Sequence, residues 1–423
     1  MTNTVQSQQR PLEDQYIFCV GRPDHASLSI ERIHKLGYKA GIFADSRILS
    51  SIATDYDAIV PVDFSSLLDT IDDLRVWRDK VKGLICTYEN YIVSKAHLGV
   101  YFNVPALSIE AANIATDKLA MRTAFAKNPA ISPAFREVSS IDEAIHFANT
   151  YGYPVITKPT NLVKSLLVTR CDTEDELRKT IQHMQTALPY MYEKYSVFSH
   201  SPQIIIEEFI TGPMYSIAGF VDTKGEIHFS PGVTALISAQ MVGRDDNYLY
   251  NRTLPASVNE KTSNDLKNVV QEGVIAMGLR STPIHAELIE GKTGIKIVEI
   301  GARIGGYRPR MYNLSYDIDL IELDIRNSLD RPLPIPLHTS TKKITSTYEI
   351  FADQEGVFAQ IDGPLDIVRS DSVYFSQKIH KGDRTGRAAD GHKAAVIIIQ
   401  THESAKVATQ AASYIDQIKI EVE

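Results

Sequence analysis

The segment from Pro283 to Gly306, PIHAELIEGKTGIKIVEIGARIGG, constrains this chain more than any other. Two runs rich in Ile, Val and Leu, residues 284–290 and 295–301, flank a stretch with the turn residues Gly291 and Gly294, which predicts an antiparallel hairpin. A three-residue loop of Lys292, Thr293 and Gly294, with Gly294 left-handed, sets Gly291 against Ile295 and Glu287 against Glu299. Odd loop lengths bring the two glutamates together, and even ones separate them. Directly opposed residues have Cβ atoms ~5 Å apart, so Glu287 and Glu299 share one face while Ala286, Leu288, Val298 and Ile300 supply core on the other. Carboxylates that close repel unless a proton or cation lies between them, and hard divalent ions such as Mg²⁺ take carboxylate oxygens. Taken alone, the pair also fits a surface hairpin with solvated glutamates. Arg303 follows four residues after Glu299.

The rest of the chain decides between these alternatives. Its 423 residues, 43% apolar and 23% charged, are those of a soluble globular protein with core enough for roughly two to four domains. A net charge of −8, with no polybasic run, argues against a nucleic-acid partner. The opening residues MTNTVQSQQRPLEDQ lack the apolar region of a signal peptide, and no apolar run reaches membrane-spanning length. Cys19, Cys86 and Cys171 are scattered and form no CxxC pair, so neither a disulfide framework nor a zinc site is expected, and the implied setting is reducing and cytoplasmic.

After a polar tail over residues 1–14, expected to be disordered, the pattern alternates. Strands are predicted at 16–20, 40–43, 59–62 and 84–87, with helices at 27–36 and 66–80, which is the signature of a parallel sheet over residues 15–112. Ligands bind such sheets beyond the strand carboxyl ends, placing Arg22, Asp24, His25, Tyr88, Glu89 and Asn90 at the rim. Each of these also suits a cap or turn. A second region, 113–198, opens with a helix near Thr116 bearing Asp117, Lys118 and Arg122, and Ser140 with Glu143 forms a capping box for the helix 141–151. A strand at 154–158 ends in Lys158, the loop TNLVKS follows, and a helix covers 174–188. A third region, 199–330, holds the strand 204–206, then Glu207 and Glu208, a turn at Gly212 and Pro213, a strand to Val221, a helix at 260–277 and the hairpin. The DRPLPIP run leads into a β-rich last region, 331–423.

The ordered motifs TDK, VITKP, IIEEFITG, HAEL and VEIGARIGG resemble the ATP-grasp family, within it the carboxylate-amine ligases that join L-amino acids. The resemblance covers most of the chain. It implies an α/β fold, α+β in parts: an ATP-grasp fold with a Rossmann-like N-terminal domain, a two-part nucleotide clamp and a C-terminal β-rich domain. By position it makes Lys118 and Lys158 the cations on the ATP phosphates, sets Glu207, Glu208, Phe209 and Ile210 around the adenine, and makes Glu287 and Glu299 ligands for Mg²⁺ or Mn²⁺. Arg303 is then the catalytic cation on the transferred phosphate, the Gly305 and Gly306 amides approach substrate oxygens, Tyr307 walls the acceptor pocket and Glu89 takes a substrate amino group. Arg308 and Arg310, beside that pocket, are expected to hold a substrate carboxylate. The chain departs from the family in three places: residues 160–165 lack glycines, leaving Lys164 and Ser165 to cover the phosphates; Met214 replaces a ribose-binding glutamate; and Gly301 replaces a metal-binding asparagine.

The implied activity is ATP-dependent ligation of a small carboxylate to an amine by way of an acyl phosphate, with amino acids or short peptides as substrates and a homodimer as one assembly. The alternatives are a degenerate ATP-binding protein with a regulatory or structural role, and an ATP-grasp enzyme of another class such as a kinase.

Overall fold

The computed structural model describes residues 14–22, 26–52, 55–162, 166–195, 197, 201–246, 248–336 and 340–423. Its N-terminal part comprises β1 Tyr16–Gly21, α1 Ala26–Lys35, β2 Lys39–Asp45, β3 Ala58–Val62, α2 Leu67–Thr70, β4 Val81–Ile85 and α3 Ile92–Phe102. The strands form a parallel sheet in the order β3-β2-β1-β4, as the alternation predicts. All six residues of β1, YIFCVG, are buried, as a strand covered on both faces must be. The predicted helix over 66–80 is instead the short α2 followed by a 3-10 segment, Ile71–Trp77. Thr70, Ile71 and Val76 are β-branched and Asp69, Asp72 and Asp73 compete for backbone hydrogen bonds, both of which disfavour a continuous α-helix.

Two helices, α4 Ile109–Thr116 and α5 Lys118–Phe125, meet at Asp117, whose carboxylate caps α5 by accepting from the Ala120 amide at 2.8 Å. Then come β5 Phe135–Val138, α6 Ile141–Tyr151, β6 Val155–Pro159, β7 Thr169–Cys171, α7 Glu174–Lys194 and β8 Ile204–Glu208. These strands make an antiparallel sheet ordered β5-β8-β6-β7. Ser140 caps α6 by accepting from the Glu143 amide at 3.3 Å, while Glu143 reaches back to the Ser139 amide at 2.8 Å.

The third part holds β9 Met214–Val221, β10 Ile227–Phe229, β11 Thr234–Ser238, β12 Leu249–Leu254, α8 Glu260–Ala276, β13 Thr282–Gly291, β14 Gly294–Gly301, α9 Arg308–Tyr316 and α10 Leu320–Ser328. The last holds β15 Ile344–Ile350, β16 Gly356–Asp362, α11 Leu365–Ser370, β17 Ser372–Gln377, β18 Arg384–Thr385, β19 Val396–His402, α12 Ala405–Ile415 and β20 Lys419–Val422. One sheet runs through both parts in the order β14-β13-β9-β11-β12-β15-β19-β17, and β12 pairs with β15 so that Asn251 faces Tyr348. The sheet therefore continues across residue 330. Among the described residues no helix is long and apolar enough to cross a membrane.

A single core links the hairpin to the N-terminal part. Leu288, Ile297 and Ile300 pack with Leu266 and Val270 of α8, Met121 and Phe125 of α5 and Leu98 of α3. Burying each such side chain contributes about 1.5–3 kcal/mol, so the hairpin, α5 and the end of the first sheet are held at fixed distances. Those are the elements that carry the candidate site.

Candidate functional site

The hairpin closes differently from the sequence expectation. Gly291 faces Gly294 across the two-residue loop Lys292–Thr293, with Gly294 at φ +113°. An even loop alone would separate the glutamates. The ladder, however, shifts between Glu287 and Leu288, leaving Val298 as an extra residue, and this β-bulge sets Glu287 opposite Glu299. Ile297 rather than Val298 consequently joins Ala286, Leu288 and Ile300 on the fully buried face. Val298 is half-buried, and its carbonyl accepts from Arg122 Nη2 at 2.8 Å.

Around these carboxylates the fold gathers groups from distant parts of the chain. Lys118, the first residue of α5, lies 3.5 Å from Glu299 Oε2 and donates to the Leu162 carbonyl at 2.9 Å. Glu89, in the turn after β4, accepts from Arg303 Nε at 2.7 Å through Oε2, while its buried Oε1 has no partner among the described residues. Burial pushes the Glu89 carboxyl up, partly offset by the Arg303 charge. A Cβ on Gly301 would lie 3.5 Å from Glu89 Oε2, so the space beside residue 301 is bordered by a carboxylate from the N-terminal part of the chain. A cleft lined by Glu89, Thr116, Lys118, Asn161, Leu162 and Glu299 opens here.

Glu287 Oε1 lies 3.3 Å from His285 Nε2, and His285 Nδ1 lies 3.1 Å from Ser216 Oγ. Burial raises the Glu287 carboxyl, but His285 and the charges of Arg308 and Arg252 outweigh it and bring it to about 2. It is therefore an anion, and the His285 interaction is a donation to it. Two facing carboxylates, one paired with an imidazole and the other with an ammonium group, form an all-oxygen donor set that fits a hard divalent cation.

Lys158 lies in a buried triad with Glu207 and Arg122. Glu207 takes Lys158 Nζ at 2.7 Å on Oε2 and Arg122 Nε at 2.8 Å on Oε1. Burial raises the Glu207 carboxyl, yet Arg122 and Lys158 hold it below the ordinary carboxylate range. Burial lowers Lys158 to about 8 against the opposing pull of Glu207. The Glu207 side chain thus faces the protein interior. Glu208 accepts from the Ala134 amide at 2.9 Å, Phe209 carries the Arg170 guanidinium 4.5 Å from its ring centre, and Ile210 packs against Gly291. Lys164 and Ser165, like Asp24 and His25, lie outside the described residues.

At the other end of the hairpin, the two glycines differ. A Cβ on Gly305 would come within 2.7 Å of His285 Nδ1 and 2.9 Å of Arg308 Cγ, whereas one on Gly306 would meet nothing. Close packing alone thus requires glycine at 305. Tyr307 Oη donates to Glu349 at 2.9 Å. Arg308 and Arg310, expected together, are separated by α9: Arg308 is buried, and exposed Arg310 stacks on Tyr374 with its guanidinium 4.4 Å from the ring centre. Residues two apart on a helix point to nearly opposite sides.

Sequence reasoning gave no role to Arg122, His285, Arg252 or Glu349. The first two left a signal, since Arg122 is one helical turn from Lys118 and His285 shares a strand face with Glu287. Arg252 and Glu349, which pair at 2.8 Å, come from neighbouring strands far apart in the chain and left none.

Comparison with known proteins bears on this arrangement. Residues 151–309 match an ATP-grasp domain. An uncharacterized protein of Sinorhizobium fredii is 22% identical over 324 residues, covering 76% of this chain and 64% of its own, so the chain spans less than two thirds of that relative. The crystal structure of an L-amino acid ligase from Bacillus licheniformis superposes with a TM-score of 0.76 at 19% identity, covering 97% of this chain and 99% of that one. The biotin carboxylase domain of a Hydrogenobacter thermophilus 2-oxoglutarate carboxylase, a dimer in complex with MgADP, ADP and bicarbonate, superposes with a TM-score of 0.67 at 14% identity, covering 96% and 90%.

Proposed function

Taking the chain as an ATP-grasp protein in domain and in fold, we propose that it is an ATP- and Mg²⁺-dependent carboxylate-amine ligase that forms an amide, peptide-like bond between small molecules of the amino-acid type. The observation that carries this conclusion is the convergence of Glu287, Glu299, Lys118, Arg303 and Glu89 from three separate parts of the chain.

Carboxylates are poor acylating agents. Activation requires transfer of the terminal phosphoryl group of ATP to a substrate carboxylate oxygen with ADP leaving, followed by attack of an amine on the acyl carbon with phosphate leaving. Glu287 and Glu299 are the residues that would hold Mg²⁺, with Mn²⁺ as a substitute, and the ion would supply charge neutralisation on the phosphates. Lys118, which lines the cleft beside Glu299, adds positive charge there. Arg303 supplies a fixed guanidinium to the transferred phosphoryl group and to the oxyanion of the tetrahedral intermediate. Glu89 offers its unpartnered Oε1 as an acceptor for a substrate amino group. Lys158 acts at one remove, as a buried cation whose position is set by Glu207.

Screening ADP and phosphate release against pairs of amino acids and small carboxylic acids tests the proposal. Formation of an amide with stoichiometric ADP and phosphate is the expected result. A stable phosphorylated product would mean a kinase, and ATP binding without turnover across the panel would mean a nucleotide-binding protein.

A further inference from the structure

Four arginines lie in or beside the site, and three of them have a carboxylate. Arg122 pairs with Glu207, Arg303 with Glu89 and Arg252 with Glu349. Arg308 has none among the described residues. Its side chain is 2% exposed, and among the described residues its Nε is buried without a partner and its one hydrogen bond is from Nη1 to Met311 Sδ at 3.5 Å. A thioether is a weak acceptor. Folded proteins rarely bury a guanidinium without an anion, because the lost hydration is not recovered.

The surroundings indicate where that anion belongs. The Arg308 stem packs over Gly305 against His285, which in turn contacts Glu287, so the guanidinium stands next to the metal-type hairpin and not in a remote core. Arg252, partly exposed, sits over the Tyr307 ring at 5.2 Å. Burial and the charge of Arg252 lower the Arg308 guanidinium to about 10, and Tyr312 and the Glu287 carboxylate, which acts on Arg308 without a hydrogen bond to it, only partly offset them. A buried guanidinium with an unpartnered Nε and no carboxylate hydrogen-bonded to it, among the described residues, is suited to receive an oxyanion. Arg310 takes no part, being held on Tyr374.

We infer that Arg308, flanked by Arg252, receives an oxyanion carried by the substrate, so that one substrate is acidic, with a carboxylate beyond the one that is activated or the amine that attacks. The inference rests on the ligase function proposed above and narrows its substrate class. The planar fork of a guanidinium matches a carboxylate with two parallel hydrogen bonds, which an ammonium group cannot reproduce.

The test is calorimetric titration of the full-length chain, saturated with Mg²⁺ and a non-hydrolysable ATP analogue. Succinate is compared with butyrate, L-aspartate with 2-aminobutyrate and L-glutamate with norvaline. The wild-type chain is expected to bind at least one dicarboxylate about tenfold or more tightly than its monocarboxylate counterpart. Arg308→Met erases that preference, Arg308→Lys retains part of it, and the analogue's affinity changes by less than about twofold in both. Absence of any preference in the wild type overturns the inference whether or not the variants fold. So does a preference that survives in Arg308→Met, or a parallel loss of analogue affinity, which would make the nucleotide phosphates the missing anion. Arg252→Met serves as the second variant and is expected to weaken the same preference. Because titration reads binding without turnover, failure to form ADP in the screen would sink the ligase function separately.

Discussion

Glu207 accepts hydrogen bonds from two buried cations at once, so its removal leaves both Arg122 and Lys158 without a counter-charge. Breaking a buried pair in this way costs about 3–5 kcal/mol, and Glu207→Gln should lower the urea midpoint accordingly at pH 7. Glu207 has its native pKa depressed, so its contribution is complete above the unfolded-state value, ~4.3, and is lost as pH falls through the lower native value. The gap between wild type and Glu207→Gln should therefore be constant near neutrality and shrink below about pH 4. A gap that widened on acidification would contradict the assignment. Arg303 makes a different prediction. It is the partner of Glu89, which lines the cleft, and the proposed cation on the transferred phosphoryl group, and removing a donor of that kind costs roughly 10²–10³ in turnover or more. Arg303→Ala should suppress ADP formation with the true substrates, and unchanged turnover would remove the proposed mechanism.

At the scale of elements, the hairpin owes its register to the bulge at Val298 and not to its loop. The same strand buries Lys296, which donates to the carbonyls of Pro129 and Ala130 at 3.1 and 2.9 Å. This contact fastens β14 to the turn after α5, and so ties Glu299 to the helix bearing Lys118 and Arg122. Lys296→Met keeps the aliphatic stem but leaves two carbonyls without their donor, which should cost about 1–3 kcal/mol in urea unfolding. Loss of less than a few tenths of a kcal/mol would show the contact to be incidental.

For the molecule as a whole, the continuous sheet makes the C-terminal part a structural partner of the site. β12 carries Arg252 and pairs on one side with β11 and on the other with β15, whose Glu349 holds Arg252 and Tyr307. A chain ending at Asp330 would expose β12 as an unpaired edge and remove Glu349 together. Such an edge promotes aggregation. The truncated chain should lose cooperative unfolding and be cleaved much faster by limiting protease, whereas an unchanged unfolding midpoint would make the last region an independent domain.

Local pattern was enough for the alternating strands and helices of the first sheet, the α6 cap, the hairpin and the pairing of Glu287 with Glu299, because each depends on residues near one another in sequence. Even there the route differed, since a bulge is a choice made by the packing of Ile297 and Ile300 under α8 and has no marker in the loop. β11 and β12 are not among the predicted strands, and the pairing of β12 with β15 joins segments far apart in the chain that no local pattern connects. The inward turn of Glu207, the parting of Arg308 from Arg310, and the meeting of Glu89 with Arg303 across 214 positions were likewise decided by tertiary structure alone. The sequence by itself determined which charged groups exist and the local frames that carry them. Only the fold decided which of those groups are neutralised by one another, because burial and long-range pairing, not chain order, fix where a charge finds its partner, and that is what leaves Arg308 without a salt bridge among the described residues.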